Sequence, residues 1–346
     1  MAKPIPTTGQ TDWGAPLNAH LAQLNEASTG GVNFAAEPPT GLTSADEGYT
    51  YVNTTTREIQ RWSGSEFEVL MGGVAVGRER LEQNRDYYVN VDTGDDSNDG
   101  LSAGSAFQTI QRAVDIIDNK IDPNGSGITI RLADSPNAYD GVSFDGTRNV
   151  TLRGNTNNPS AVRIYTNKNN GVVSSGVRIT NEARVNLRGV TLLPGPTSLQ
   201  IVRAIDIAFD GRCNLSKVVF EDIKTGRTEA EHVYIIYGGF IDFQDEYTIN
   251  GSADFHIFLS GQSQVRYFNP GSTVNVTVNN NPNFGGSFIN CNTLSSCNVE
   301  PTVFSGSATG KRFIANVHST IATNGQGPDF FPGDVPGTVE NLSLYL

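Results

Sequence analysis

Ala183-Arg184-Val185-Asn186-Leu187, Arg212-Cys213-Asn214-Leu215, Phe240-Ile241-Asp242-Phe243, Gln264-Val265-Arg266-Tyr267 and Ser296-Cys297-Asn298-Val299 alternate apolar and polar residues. That period of two is the mark of short strands that bury one face. Their apolar pairs continue a series begun by Val150/Leu152, and successive first members lie 35, 28, 28, 24 and 32 residues apart. A second series runs eight positions upstream, at Val177, Ile205, Val233, Ile257 and Ile289. A third follows downstream, at Val190, Val218, Tyr247, Val274 and Val303. Three strands per repeat, repeated with a loose period, predict stacked coils around one continuous core, an all-β parallel β-helix over residues 127–322. A β-sandwich would need antiparallel hairpins with two-residue turns, which are scarce here. The 37 glycines, with abundant asparagine, suit many tight turns that need left-handed backbone.

Upstream of the coil, Ala106–Asp118 carries Phe107, Ile110, Ala113, Val114 and Ile117 at helical spacing and is expected to cap the open end. The loop Gly94–Gly100 matches fragments of a calcium-binding loop. Ser97 and Ala106 stand where ligands belong, so it reads as an Asp/Asn-rich turn that caps the helix. Residues 76–126 thus form a neck, loop and capping helix. Residues 31–75 read as a small β module with strands at Tyr49–Val52, Glu58–Trp62 and Phe67–Leu70. In residues 1–30, Asp12 caps a short helix with a Leu17/Leu21/Leu24 seam that calls for a partner. Residues 323–346 form a C-terminal tail.

The 346 residues carry 24 Lys plus Arg against 36 Asp plus Glu, a net charge of −12. No nucleic-acid partner is expected from an acidic chain. No run reaches the roughly 18 apolar residues of a membrane span, and no signal-peptide core follows Met1. Cys213, Cys291 and Cys297 fall on inward positions and read as buried thiols. With no zinc-spaced Cys/His set and no phosphate loop, neither metal nor cofactor is expected.

Alternation also assigns outward residues. On the second series it turns His232, Tyr234, His256, Phe258 and Phe288 outward, a stripe that suits a subunit interface or a sugar-stacking platform. Arg184, Arg212, Asp242 and Arg266 form a polar outer face on the first series.

Tyr88-Val89-Asn90-Val91, Gly100-Leu101-Ser102 and Ala106-Phe107-Gln108-Thr109-Ile110-Gln111-Arg112-Ala113-Val114-Asp115 resemble the opening of phage tail proteins with a pectate-lyase-like right-handed β-helix. Asn149–Asn155, Phe304–Gly310 and Asn324–Gly333 resemble further parts of such tailspikes and tail fibres, and Asp12-Trp13-Gly14 with Leu17, Leu21 and Leu24 resembles their virion-attachment segment. The resemblance implies a right-handed coil and a homotrimer. It implies docking on other tail proteins through Trp13, Leu17, Leu21 and Leu24, and adhesion of the β-helix to host surface polysaccharide or lipopolysaccharide. The expected location is the virion tail. Unlike larger tailspikes, the chain shows no sizeable adhesin domain after the coil.

Glycoside hydrolysis needs two carboxyl groups about 5–9.5 Å apart, one of them protonated. Glu229, Glu231 and Asp242 are the candidates, the first two in a longer insertion ahead of His232. Neither a pectate-lyase acidic cluster nor a polygalacturonase Asp-Asp and Gly-His signature occurs on the repeats. The leading expectation is therefore a non-enzymatic adhesin, with a glycan depolymerase or a structural virion connector as alternatives.

Overall fold

The computed structural model describes residues 32–35, 37–53, 59–71, 78–147 and 149–346. Trp13, Leu17, Leu21 and Leu24, expected to serve attachment, lie outside the described residues. The chain divides into two units, 1–79 and 80–346. In the first, strands Val32–Ala35, Thr50–Asn53, Ile59–Trp62 and Phe67–Met71 form one sheet, its first pair parallel and the others antiparallel. The Phe67 ring packs against Trp62 at 5.2 Å and Tyr51 at 5.5 Å. Three of these strands match the expected ones within a residue, and Val32–Ala35 adds a fourth that its Gly/Pro-rich flanks had concealed.

The second unit is a right-handed parallel β-helix with three strands per rung. Sheet I stacks ten strands, from Arg85–Val89 through Val150–Arg153, Arg184–Arg188, Arg212–Ser216, Phe240–Phe243, Gln264–Tyr267 and Ser296–Val299 to Leu344–Tyr345. It therefore runs beyond residues 127–322 on both sides. Its register pairs Val150 with Val185, Val185 with Cys213, Cys213 with Ile241, Ile241 with Val265 and Val265 with Cys297, the first sequence series in order. Sheet III, which carries Val173–Thr180, Ile201–Ile207, Glu229–Ile236, Ala253–Ser260 and Asn283–Cys291, aligns Val177, Ile205, Val233, Ile257 and Ile289.

Sheet II, which carries Arg163–Tyr165, Thr191–Leu193, Val219–Phe220, Glu246–Ile249, Val274–Val278 and Thr302–Gly306, departs from the third series. There Tyr247 pairs with Val276 rather than Val274, and Val276 with Phe304, which leaves Val303 pointing outward and half exposed. The slip is one residue at Val303, and one residue reverses a side chain's face. Sheet II strands are short and their connections vary in length, so spacing alone could not hold the count.

All three cysteines are free and buried, and burial pushes the Cys213 thiol up to about 12. The helix is Ile110–Lys120, with Ile110, Ala113, Val114 and Ile117 buried in the same core as the coil. The Asp/Asn-rich loop does not itself cap it: the N-cap is Thr109, whose hydroxyl accepts from the Arg112 N–H at 3.2 Å, and the loop only holds that residue in place. Asp96 accepts from the backbone N–H groups of Gln108 and Thr109, both at 2.9 Å, and from the Thr109 hydroxyl at 2.8 Å.

Seven successive turns from sheet III to sheet I place two consecutive residues in left-handed conformation: Asn181-Glu182, Phe209-Asp210, Tyr237-Gly238, Gly261-Gln262, Thr293-Leu294, Val317-His318 and Asn341-Leu342. Such backbone costs on the order of 1 kcal/mol or more at bulky residues such as Phe209 and Tyr237. A ladder along the coil axis offsets it: Glu182 N–H donates to Phe209 O, Asp210 to Tyr237, Gly238 to Gly261, Gln262 to Thr293, Leu294 to Val317 and His318 to Asn341.

Ile205 is fully buried between Val177 and Val233 in the core column of sheet III. Ile205→Ala is expected to cost about 2–5 kcal/mol in urea unfolding; a loss below about 1 kcal/mol would mean that this column is not close-packed.

Candidate functional site

Within each sheet III strand the ladder skips one residue: Gly176, Ala204, His232, His256 and Phe288 drop out of the pairing. Each of the last four is buried, and so is the residue after it. Neighbours in an extended strand face opposite ways, so two consecutive inward residues require the chain to turn a corner there. This corrects the alternation reading of the stripe. His232, His256 and Phe288 point into the core, each 0% exposed, and only Tyr234 and Phe258 remain outside. The corner column grows from Gly176 to Phe288, and a Cβ on Gly176 would lie 2.7 Å from the Ala204 carbonyl oxygen.

Inside the corner the two histidines start a chain of hydrogen bonds. His232 Nε2 faces the Glu221 carbonyl at 3.1 Å, and His232 Nδ1 faces His256 Nδ1 at 3.2 Å. His256 Nε2 meets the Tyr247 hydroxyl at 3.0 Å, and that hydroxyl meets Tyr267 at 3.2 Å. A carbonyl only accepts, so His232 carries its proton on Nε2 and accepts at Nδ1. His256 must then donate from Nδ1 and accept from Tyr247, which in turn accepts from Tyr267. Both rings are held neutral, in opposite tautomers. Burial drives the His232 pKa down to about 4, and burial with the His232 neighbour takes that of His256 well below the ordinary value.

Outside the corner, residues on its two arms converge. Arg203 is the hub. One of its terminal nitrogens lies 3.3 Å from Asp206 Oδ1, its Nε lies 3.5 Å from Glu231 Oε2, and its other terminal nitrogen lies 3.9 Å from Glu229 Oε1. Its guanidinium carbon sits 3.3 Å from the centre of the Tyr234 ring. Arg178 approaches Asp206 at 3.8 Å. Tyr234 stacks on Phe258 at 5.1 Å with planes 6° apart, and Phe255 packs against Phe258 at 5.4 Å. The result is a groove with a charged floor and an aromatic side. Glu231 is 1% exposed, Asp206 4% and Arg203 9%, although all three sit on outward register positions.

Glu229 and Glu231 therefore lie on a strand, not in an inserted loop, and the structure brings them together with Asp206. Asp242 is elsewhere. It sits on sheet I, 2% exposed, gripped by Arg266 through Nε at 3.2 Å and a terminal nitrogen at 2.7 Å. Arg203 was not anticipated as a site residue. The signal in its favour is its register partner Glu231, one rung away, which places opposite charges side by side.

Desolvation lifts the Glu231 carboxyl to about 8 against the pull of Arg203, and desolvation also raises Asp206. Glu231 Oε2 is buried with no hydrogen-bond donor among the described residues. Burial thus favours the protonated form of Glu231 near neutrality. Among the described residues no group of three His, Cys, Asp or Glu side chains is placed to hold a metal ion.

The buried groups set the pH dependence of stability. The unfolded chain protonates both histidines near pH 6.5, while the folded chain protonates His232 only near 4 and His256 only well below its ordinary value. Stability therefore falls as pH drops below about 6.5. Glu231 acts oppositely. Folding keeps its proton between about 4.5 and 8, so stability falls there as pH rises, by about 1.4 kcal/mol per pH unit. The two histidines pull stability down toward acid pH, while Glu231, with Asp206 raised in the same sense, pulls it down as pH rises, so denaturant-derived stability is expected to fall on both sides of an optimum. Glu231→Gln should flatten the descending limb; a native chain without that limb would show Glu231 ionised. No protein-family model matches this chain, and no curated protein shows significant similarity to it.

Proposed function

We propose that this chain is a virion-tail adhesin whose β-helix binds polysaccharide or lipopolysaccharide of the host cell surface through the corner groove. The carrying observation is the stacked Tyr234–Phe258 pair beside the buried Arg203 cluster. Aromatic faces take the apolar faces of sugar rings, and a fixed guanidinium with carboxyl groups offers donors and acceptors for hydroxyls. The parallel β-helix is compatible with that role. The phage origin, the homotrimer and the docking of residues 1–30 on other tail proteins rest on the sequence resemblance.

Light scattering of the full chain tests the trimer, which is expected at three times the 37.1 kDa chain mass. Retention on a panel of purified bacterial surface polysaccharides tests the groove. Tyr234→Ala with Phe258→Ala is expected to weaken retention at least about tenfold with the oligomer intact. A variant that dissociates instead, or binds unchanged, overturns the groove assignment.

A second reading is favoured by Glu231, a buried carboxyl whose pKa is pushed up to about 8 and whose Oε2, beside Arg203, accepts no hydrogen bond among the described residues. Asp206 contacts the same guanidinium, so the two carboxyl groups stand no further apart than the roughly 9.5 Å limit of glycosidase pairs. In a hydrolase Glu231 would protonate the glycosidic oxygen while Asp206 activates water. New reducing ends released by the native chain and lost in Glu231→Gln, with binding kept, would establish cleavage. Intact polysaccharide after prolonged incubation would leave the adhesin alone.

A further inference from the structure

The outer face of sheet I holds a second hollow, separate from the corner groove. It has a volume of about 290 Å³ and is lined by Arg184, Arg212, Asn186, Asn214 and Phe240, with Asn149 and Val185 completing it. Register explains its composition. Arg184 pairs with Arg212 and Arg212 with Phe240, so two guanidinium groups and one ring follow each other on successive rungs. Asn186 pairs with Asn214 in the neighbouring column, where Asn214 Nδ2 donates to Asn186 Oδ1 at 2.9 Å.

No carboxylate lines this hollow. Arg184 and Arg212 are exposed and make no ion pair among the described residues. Asp242, the register partner of Asn214 on this face, is already taken by Arg266. Two like charges one rung apart, about 4.8 Å between strands, repel each other. That placement runs against the composition of a chain with net charge −12. Arg212 and Arg266 approach Phe240 at 5.8 and 5.7 Å, which holds the ring between two cations at the end of the hollow. Paired guanidinium forks suit anionic oxygens, the ring suits a sugar face, and the asparagine amides suit hydroxyl groups.

We propose that this hollow is a binding site for an acidic polysaccharide, a sugar chain that bears carboxylate, sulfate or phosphate. The two arginines take its anionic groups and Phe240 takes one ring. The proposal shares with the adhesin reading only the class of partner, and it names a different face and a different chemistry. Long-range attraction is not its source, since the whole chain is acidic. The selectivity is local to the arginine pair.

The test is retention of the full-length chain on immobilised hyaluronate and dextran sulfate, with neutral dextran and polyglutamate as controls, over a salt series. Salt-sensitive retention is expected on at least one acidic polysaccharide and on neither control; the two matrices separate carboxylate from sulfate. Arg184→Gln with Arg212→Gln should weaken that retention at least about tenfold with unchanged melting and unchanged mass by light scattering. Tyr234→Ala with Phe258→Ala should leave it untouched, so failure of the groove and failure of the hollow are read separately. Absence of retention, equal retention on polyglutamate, or full retention by the arginine variant overturns the proposal. A change of oligomeric mass in the arginine variant would likewise overturn it and assign the face to an interface between copies.

Discussion

Backbone hydrogen bonds in this coil run along its axis, between rungs, and no rung can satisfy its own strands. Every sheet pairing in the second unit joins residues at least a rung apart, except for the short antiparallel pair Lys168–Asn169 with Ser174–Ser175. The left-handed turns add to it: besides bonds within a turn, such as Ala183 N–H to Thr180 O, each turn from Asn181-Glu182 to Val317-His318 passes an N–H to the carbonyl of the next. An orphaned backbone group in a dry core is costly, so register between rungs is enforced throughout. That enforcement turns the sequence of each rung into columns, and the columns are where the chemistry arises.

The corner groove shows how. Arg203 reaches Asp206 on its own rung and Glu231 on the next because the bend folds the outer faces of two short strand arms toward one another. On a straight strand, residues at positions 203 and 206 would face opposite sides. The same bend forces a second inward residue into the core at five successive rungs, and that position grows from glycine to alanine, histidine, histidine and phenylalanine. Polar histidines are tolerated there because Tyr247, Tyr267 and the Glu221 carbonyl complete their hydrogen bonds. A fully satisfied buried network of this kind fixes one arrangement of protons.

Inner and outer sides of the corner thereby hold opposite liabilities. The core histidines resist protonation and the groove glutamate resists ionisation, both because burial disfavours charge. The two groups lie within one strand, Glu231 and His232 being adjacent, and face opposite ways across it. A change of pH in either direction acts on the same turn of the coil.

The sequence determined the coil. Apolar pairs at Val185/Leu187, Cys213/Leu215 and Ile241/Phe243 are legible because a two-residue period survives any loop length, and their columns follow from it. The helix Ile110–Lys120 was legible from its own local period, whereas its N-cap, Thr109, was not, because the acidic loop ahead of it carries the same kind of capping residue. Sheet II at Val303, the inward turn of His232, His256 and Phe288, and the meeting of Arg203, Asp206 and Glu231 were decided by the tertiary structure alone. Alternation counts residues along a straight strand. A corner inverts that count, and only the stacking of neighbouring rungs sets where the chain bends.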